Sequence, residues 1–140
     1  MDPVTQLIRI LTYAGVFPFV LMDLFTAYMP GPWSLWMIQY GAVIISFIAG
    51  MQWGICLELE RSIWVLILSI ACALGGWLSL LTTWTALTIG IQILLLWLLY
   101  GIDYWLVPED AYPMQYLITR QRATMGVILL LLIQLGYQLS

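Results

Sequence analysis

Five apolar runs, each near twenty residues long, occupy almost the whole chain: 7–28, 33–57, 62–81, 84–102 and 121–139. A helix needs about 20 residues to cross roughly 30 Å of hydrocarbon. The breaks between the runs carry the residues that stop helices. Met29-Pro30-Gly31-Pro32 ends the first, where proline removes a backbone donor and glycine lets the chain turn. Glu58, Glu60 and Arg61 make a charged break, and Thr82-Thr83 a tight uncharged one. Asp103 opens the one long loop, which holds Pro108, Glu109, Asp110 and Pro113. Runs such as Ile91 to Leu99 lack the polar–apolar alternation of a barrel strand. Helices satisfy their own backbone groups in lipid. The expected fold is therefore all-α, a single polytopic membrane bundle of five transmembrane helices over residues 1–140.

Composition excludes several classes. Apolar residues make up 64% of the chain and charged residues 8%, against about half and about a quarter in a soluble domain. So few charges do not cover a soluble surface. Four arginines, no lysine and a net charge of −3 exclude nucleic-acid binding. The chain has no histidine, so histidine-ligated haem or zinc and histidine acid–base chemistry are absent. Serines in the spans lack a histidine or lysine base. The Glu109-Asp110 pair has no further ligand set. No catalytic, metal or cofactor site is expected. Cys56 and Cys72 sit in apolar runs and read as small buried hydrophobes, not as a disulfide. Met1-Asp2-Pro3 has no basic region and no cleavage signal follows, so the first run is read as a retained anchor.

Charge sets an orientation. With five spans, Arg9, Arg61, Arg120 and Arg122 all fall on one side, and the opposite loops carry no basic residue. The positive-inside rule then puts the N-terminus in the cytoplasm and the C-terminus outside. Tyr28, Trp33, Trp36, Trp84 and Tyr137 fit an outer aromatic belt, and Trp64, Tyr104, Trp105, Tyr112 and Tyr116 an inner one.

Three groups of residues stand out within the spans. Ala42, Ser46, Gly50 and Gly54 recur every four residues on the second run. Such small-residue stripes let helix backbones approach closely in lipid, either inside a bundle or across a dimer seam. Asp23, Gln39, Thr88 and Gln134 fall at similar depth toward the outer face. They form either a polar layer for a proton or ligand, with Asp23 as its ionisable member, or a lock in which Asp23 bonds Gln39 or is protonated. Asp103, Tyr116, Arg120 and Arg122 flank the long loop. They read as a clamp at its base or as a docking surface for a partner or a lipid headgroup. Gln52 and Gln92 read as interhelical hydrogen bonds.

The stretch Tyr40-Gly41-Ala42-Val43-Ile44-Ile45-Ser46-Phe47-Ile48-Ala49-Gly50-Met51-Gln52-Trp53-Gly54 resembles the signature of a small membrane-protein family of unknown function. That family is typified by the mitochondrial transmembrane protein 69 and its bacterial relatives. Tyr13-Ala14-Gly15-Val16-Phe17-Pro18-Phe19 resembles its first-helix element, and Asp103 with Tyr116, Arg120 and Thr124 its closing motif. The family usually shows histidine where Gln52 stands, beside Trp53. That departure argues against a metal, haem or proton-relay role there, while glutamine still donates and accepts hydrogen bonds. The resemblance implies architecture and an energy-transducing membrane, the bacterial inner membrane ahead of the mitochondrial one.

Three functions follow as expectations. The first is a non-catalytic accessory, assembly or scaffold component with a membrane-protein partner or a second copy of the chain. The second is a small proton-coupled transporter or channel using Asp23. The third is a lipid- or quinone-binding protein, suggested by Trp53, Tyr100 and Trp105 near the inner interface.

Overall fold

The computed structural model describes residues 3–59, 63–105 and 114–140. They form α1 (Pro3–Ala14), α2 (Phe17–Tyr28), α3 (Trp33–Leu59), α4 (Ile63–Ser79), α5 (Thr85–Trp105) and α6 (Met114–Leu139). No strand occurs among the described residues. Four segments are long and apolar enough to cross a membrane: Gln6–Tyr28, Trp33–Ile55, Thr85–Tyr104 and Leu117–Leu139. The α4 segment Ile63–Ser79 is apolar but shorter, at 17 residues.

The first run is interrupted rather than continuous, and the cause is Pro18. A proline inside a helix has no N–H for the carbonyl four residues back and its ring collides with that carbonyl, here that of Ala14. The chain therefore breaks at Gly15 and Val16 and restarts with Pro18 in the first turn of α2. The Gly15 carbonyl accepts a hydrogen bond from the Tyr40 hydroxyl at 2.9 Å. Phe19, fully buried, packs against the same ring at 5.1 Å between centroids. The two stretches that carry the family resemblance thus meet at the kink. The α2–α3 turn is closed by Trp33, whose indole N–H donates to the Met29 carbonyl at 3.1 Å and whose ring packs on Phe25 and Trp36.

The core lies between α3 and α5. Buried positions on α3 include Ile38, Ala42, Ile45, Ala49 and Gln52, steps of four and three that hold one face of a 3.6-residue helix. On α5 they include Ile89, Gln92, Leu96, Leu99 and Asp103. The helices run parallel, tied by Gln92 Nε2 donating to the Ile38 carbonyl at 2.7 Å and Gln52 Nε2 to the Leu99 carbonyl at 2.9 Å. Helix α4 packs on both α3 and α5, and α6 on α5, α1 and α2. Close approach comes from glycines. A Cβ on Gly76 would lie 3.2 Å from Ile45, one on Gly75 3.1 Å from Leu95, and one on Gly41 inside the Gln92 amide. The outer faces are apolar, with Leu24, Val43, Phe47, Ile67, Leu74 and Leu129 exposed, as lipid solvation requires.

This arrangement corrects the internal-packing reading of the four-residue stripe. Ala42 is buried, whereas Ser46, Gly50 and Gly54 are exposed, and nothing lies within 4 Å of a Cβ on Gly50 or Gly54. At 3.6 residues per turn a strict four-residue repeat drifts by about 40° each step, so it leaves the face it starts on. The internal contacts use Gly41, Gly75 and Gly76 instead. Gly41→Ala should lower stability by about 1–3 kcal/mol through overpacking, while Gly50→Ala should leave it unchanged or higher. Thermal unfolding of both variants in the same detergent checks this; equal melting temperatures would refute the assigned packing face.

Candidate functional site

Helix α6 begins at Met114, seven residues before the run expected from hydropathy. Arg120 consequently lies inside a helix whose buried face carries Thr119, Arg120, Thr124, Val127, Leu131 and Gln134. Its Nε meets Asp103 Oδ2 at 3.0 Å, and both side chains are 6% exposed. Gln52, fully buried, donates to Asp103 Oδ1 at 2.8 Å. One carboxylate thus joins α3, α5 and α6. Thr124 Oγ1 donates to the Arg120 carbonyl at 2.9 Å. A charge-assisted pair with an added amide donor is the form in which buried charges persist, because desolvation is offset only when hydrogen bonds accompany the Coulomb attraction.

Arg120 also lines a groove of about 330 Å³ between α1, α3 and α6, with Leu96 of α5 in its wall. On α3 the groove extends from Tyr40 to Met51, and α6 contributes Ala123, Thr124 and Val127. Tied through Asp103 to Gln52, Arg120 stands at the Met51 end. Leu11, Val43 and Phe47 line the groove and are exposed on the outer surface, so it opens sideways. The hydroxyls along it already donate to backbone carbonyls: Thr12 to Ile8 at 2.7 Å, Tyr40 to Gly15, and Thr124 to Arg120. The volume is at the lower end of the range for small-molecule sites, which are mostly apolar with a few polar groups.

The remaining expected site residues do not converge. Gln39 is exposed, one residue beyond buried Ile38 and about 100° round the helix. Thr88 turns to the α4–α5 connection, donating to the Ser79 carbonyl at 2.9 Å and bonding the Thr82 hydroxyl. Gln134 donates to Ser34 Oγ, as does Gln138 at 2.6 Å. Asp23 is buried on α2, and neither of its carboxyl oxygens has a hydrogen-bond partner among the described residues. The outer polar layer is therefore not one site, and Asp23 does not line the groove. In the clamp, Arg122 is exposed, two residues and about 200° from Arg120, and takes no place in the buried pair. Cys72 is buried with a free thiol, and Trp53 is exposed. The side chains of Cys56, Glu58, Trp105 and Tyr116, the break at Glu60 and Arg61, and the loop with Pro108, Glu109, Asp110 and Pro113 lie outside the described residues.

Sequence reasoning missed Ser34, which accepts from two glutamines, and the groove itself. Ser34 gives no signal, because a serine early in a helix is ordinary. Tyr40 opens the stretch 40–54, and a phenol facing a proline-broken helix is its signal.

A family model described as "Protein of unknown function (DUF3429)" matches residues 4–136. No curated protein and no solved structure matches the chain. Removing one member of the buried pair strands the other charge, which costs about 3–5 kcal/mol. Asp103→Ala and Arg120→Ala should each show a loss of that order, and the double variant much less than their sum. Chemical unfolding in mixed micelles measures it; additive losses would sink the coupling.

Proposed function

The chain belongs to the DUF3429 family, whose function is not established, and we propose that it is a non-catalytic accessory protein of the bacterial inner membrane that holds an amphiphile of the bilayer. The observation that carries this reading is the groove of about 330 Å³ that opens on the outer surface with Arg120 at one end. An apolar chain enters such a groove from the side without leaving the hydrocarbon phase. Asp23 lies outside the groove lining, so the geometry favours amphiphile binding over proton-coupled transport.

In this reading α4 is a fifth crossing. Its 17 residues span about 25 Å at 1.5 Å per residue, the short end of the transmembrane range. Its packing against α3 and α5 supports that. Five crossings put Arg9, Arg61, Arg120 and Arg122 on the cytoplasmic side and Ser140 outside. To test this, single cysteines are placed at Arg122 and Ser140 in a background with Cys56 and Cys72 replaced by alanine. A membrane-impermeant maleimide added to intact spheroplasts should label Ser140→Cys and spare Arg122→Cys. The reverse pattern would invert the bundle.

Ala123 lines the groove and Ala71 is exposed on α4 away from it. Ala123→Phe should cut the lipid retained through purification by about tenfold, a difference of about 1.4 kcal/mol; Ala71→Phe should leave it unchanged. Native mass spectrometry of both variants reads the adducts. Equal adduct levels would remove the groove as the binding place.

A further inference from the structure

We infer that the groove measures a hydrocarbon chain: it takes one acyl tail of a bilayer lipid, tip first, with Tyr40 as its floor and the headgroup left outside. The inference rests on the amphiphile reading above and names the part of the amphiphile that the protein recognises.

The lining suits hydrocarbon. The hydroxyl protons of Thr12, Tyr40 and Thr124 are already given to the carbonyls of Ile8, Gly15 and Arg120. Arg120 is the one charged residue in the lining, and the Asp103 carboxylate, outside the groove, offsets it at 3.0 Å. The rest of the α3 wall is apolar, with Val43, Ile44, Phe47 and Ile48. A methylene chain brings no polar group that needs an answer there, and it gains dispersion along the whole wall.

The mouth lies near the membrane surface. Met51 is four residues from the end of the candidate span Trp33–Ile55, and Arg120 three from the start of Leu117–Leu139. These are distances of about 5–6 Å at 1.5 Å per residue. A lipid whose tail enters at this end keeps its headgroup at the interface, in water. Leu11, Val43 and Phe47 are exposed along the open side, so a second tail stays in the bilayer.

The far end is closed. The lining stops at Val16, at Tyr40 on α3 and at Val127 on α6. There the Tyr40 hydroxyl crosses to the Gly15 carbonyl at 2.9 Å. One turn further along the same three walls stand Phe19, Met37 and Leu131, each fully buried. Phe19 packs on the Tyr40 ring at 5.1 Å between centroids. Packed core therefore takes over where the phenol ends. From Tyr40 to Met51 the α3 wall covers about 16 Å at 1.5 Å per residue. With C–C bonds of about 1.5 Å, an extended chain advances about 1.3 Å per methylene, so about twelve carbons fill the groove.

The experiment uses the delipidated full chain in a sterol-based detergent, which has no alkyl tail to compete. Lysophosphatidylglycerols with octanoyl, dodecanoyl and hexadecanoyl tails are titrated by native mass spectrometry. Dodecanoyl should bind at least about tenfold tighter than octanoyl, and hexadecanoyl no tighter than dodecanoyl. Dodecanoyl lysophosphatidylcholine should match its phosphatidylglycerol counterpart. Ala123→Phe should abolish binding and Ala71→Phe preserve it. Tyr40→Ala, which removes the floor, should let hexadecanoyl bind about tenfold tighter than dodecanoyl. If that variant does not fold, the wild-type series decides alone. The chain measure is overturned, and the groove reading stands, if Ala123→Phe blocks binding but any of three results appears: hexadecanoyl binds the wild type tighter than dodecanoyl, Tyr40→Ala leaves the plateau in place, or one headgroup is preferred tenfold. Tails that bind regardless of Ala123→Phe, or no binding of any tail, overturn both.

Discussion

Hydrocarbon offers no hydrogen bonds, so a polar group carried into it must be answered by the protein itself. The Asp103 carboxylate answers two at once. It accepts from Gln52 on α3 and pairs with Arg120 on α6, while its own helix supplies the Leu99 carbonyl that receives the second Gln52 proton. Three helices are thereby fixed in rotation and height relative to one another. Rotation matters most, since a hydrophobic stretch tolerates turning in lipid far better than it tolerates an orphaned charge. The Gln92–Ile38 and Tyr40–Gly15 bonds repeat the device at other levels. The first joins a side chain of α5 to a backbone carbonyl of α3, and the second joins α3 to the break between α1 and α2.

Glycines let those bonds form. Gly41 admits the Gln92 amide, Gly76 admits Ile45 and Gly75 admits Leu95, bringing backbones close enough for dispersion to act where the hydrophobic effect does little between helices. The polar ties and the close contacts depend on each other. A Cβ at Gly41 would displace the amide that holds α3 to α5.

Apolar length and helix-breaking residues made the all-helical bundle legible in the sequence, because both act locally. The runs beginning near Trp33, Ser62 and Trp84 start within a residue of α3, α4 and α5. Rotation was not legible. Asp23, Gln39, Thr88 and Gln134 read as one level in the sequence, yet they face different neighbours, since one residue turns a side chain by about 100°. The Asp103–Arg120 pairing was readable because both residues flank one loop, whereas Arg122, two residues on, faces outward. The α1–α2 kink was visible in Pro18, but the groove was not. Its walls come from four helices that no local pattern relates.

Position 52 shows how structure and ligand reading depend on one another. The site needs a donor aimed at Asp103, and the Gln52 amide supplies one. Being neutral, that amide leaves the Asp103–Arg120 pair balanced. Glutamine does not ionise, so in this chain the end of the groove stays neutral at any pH at which the pair itself persists. The same carboxylate that makes Arg120 tolerable inside the bundle therefore sets what Arg120 can recognise. It offsets the guanidinium charge at that end of the groove.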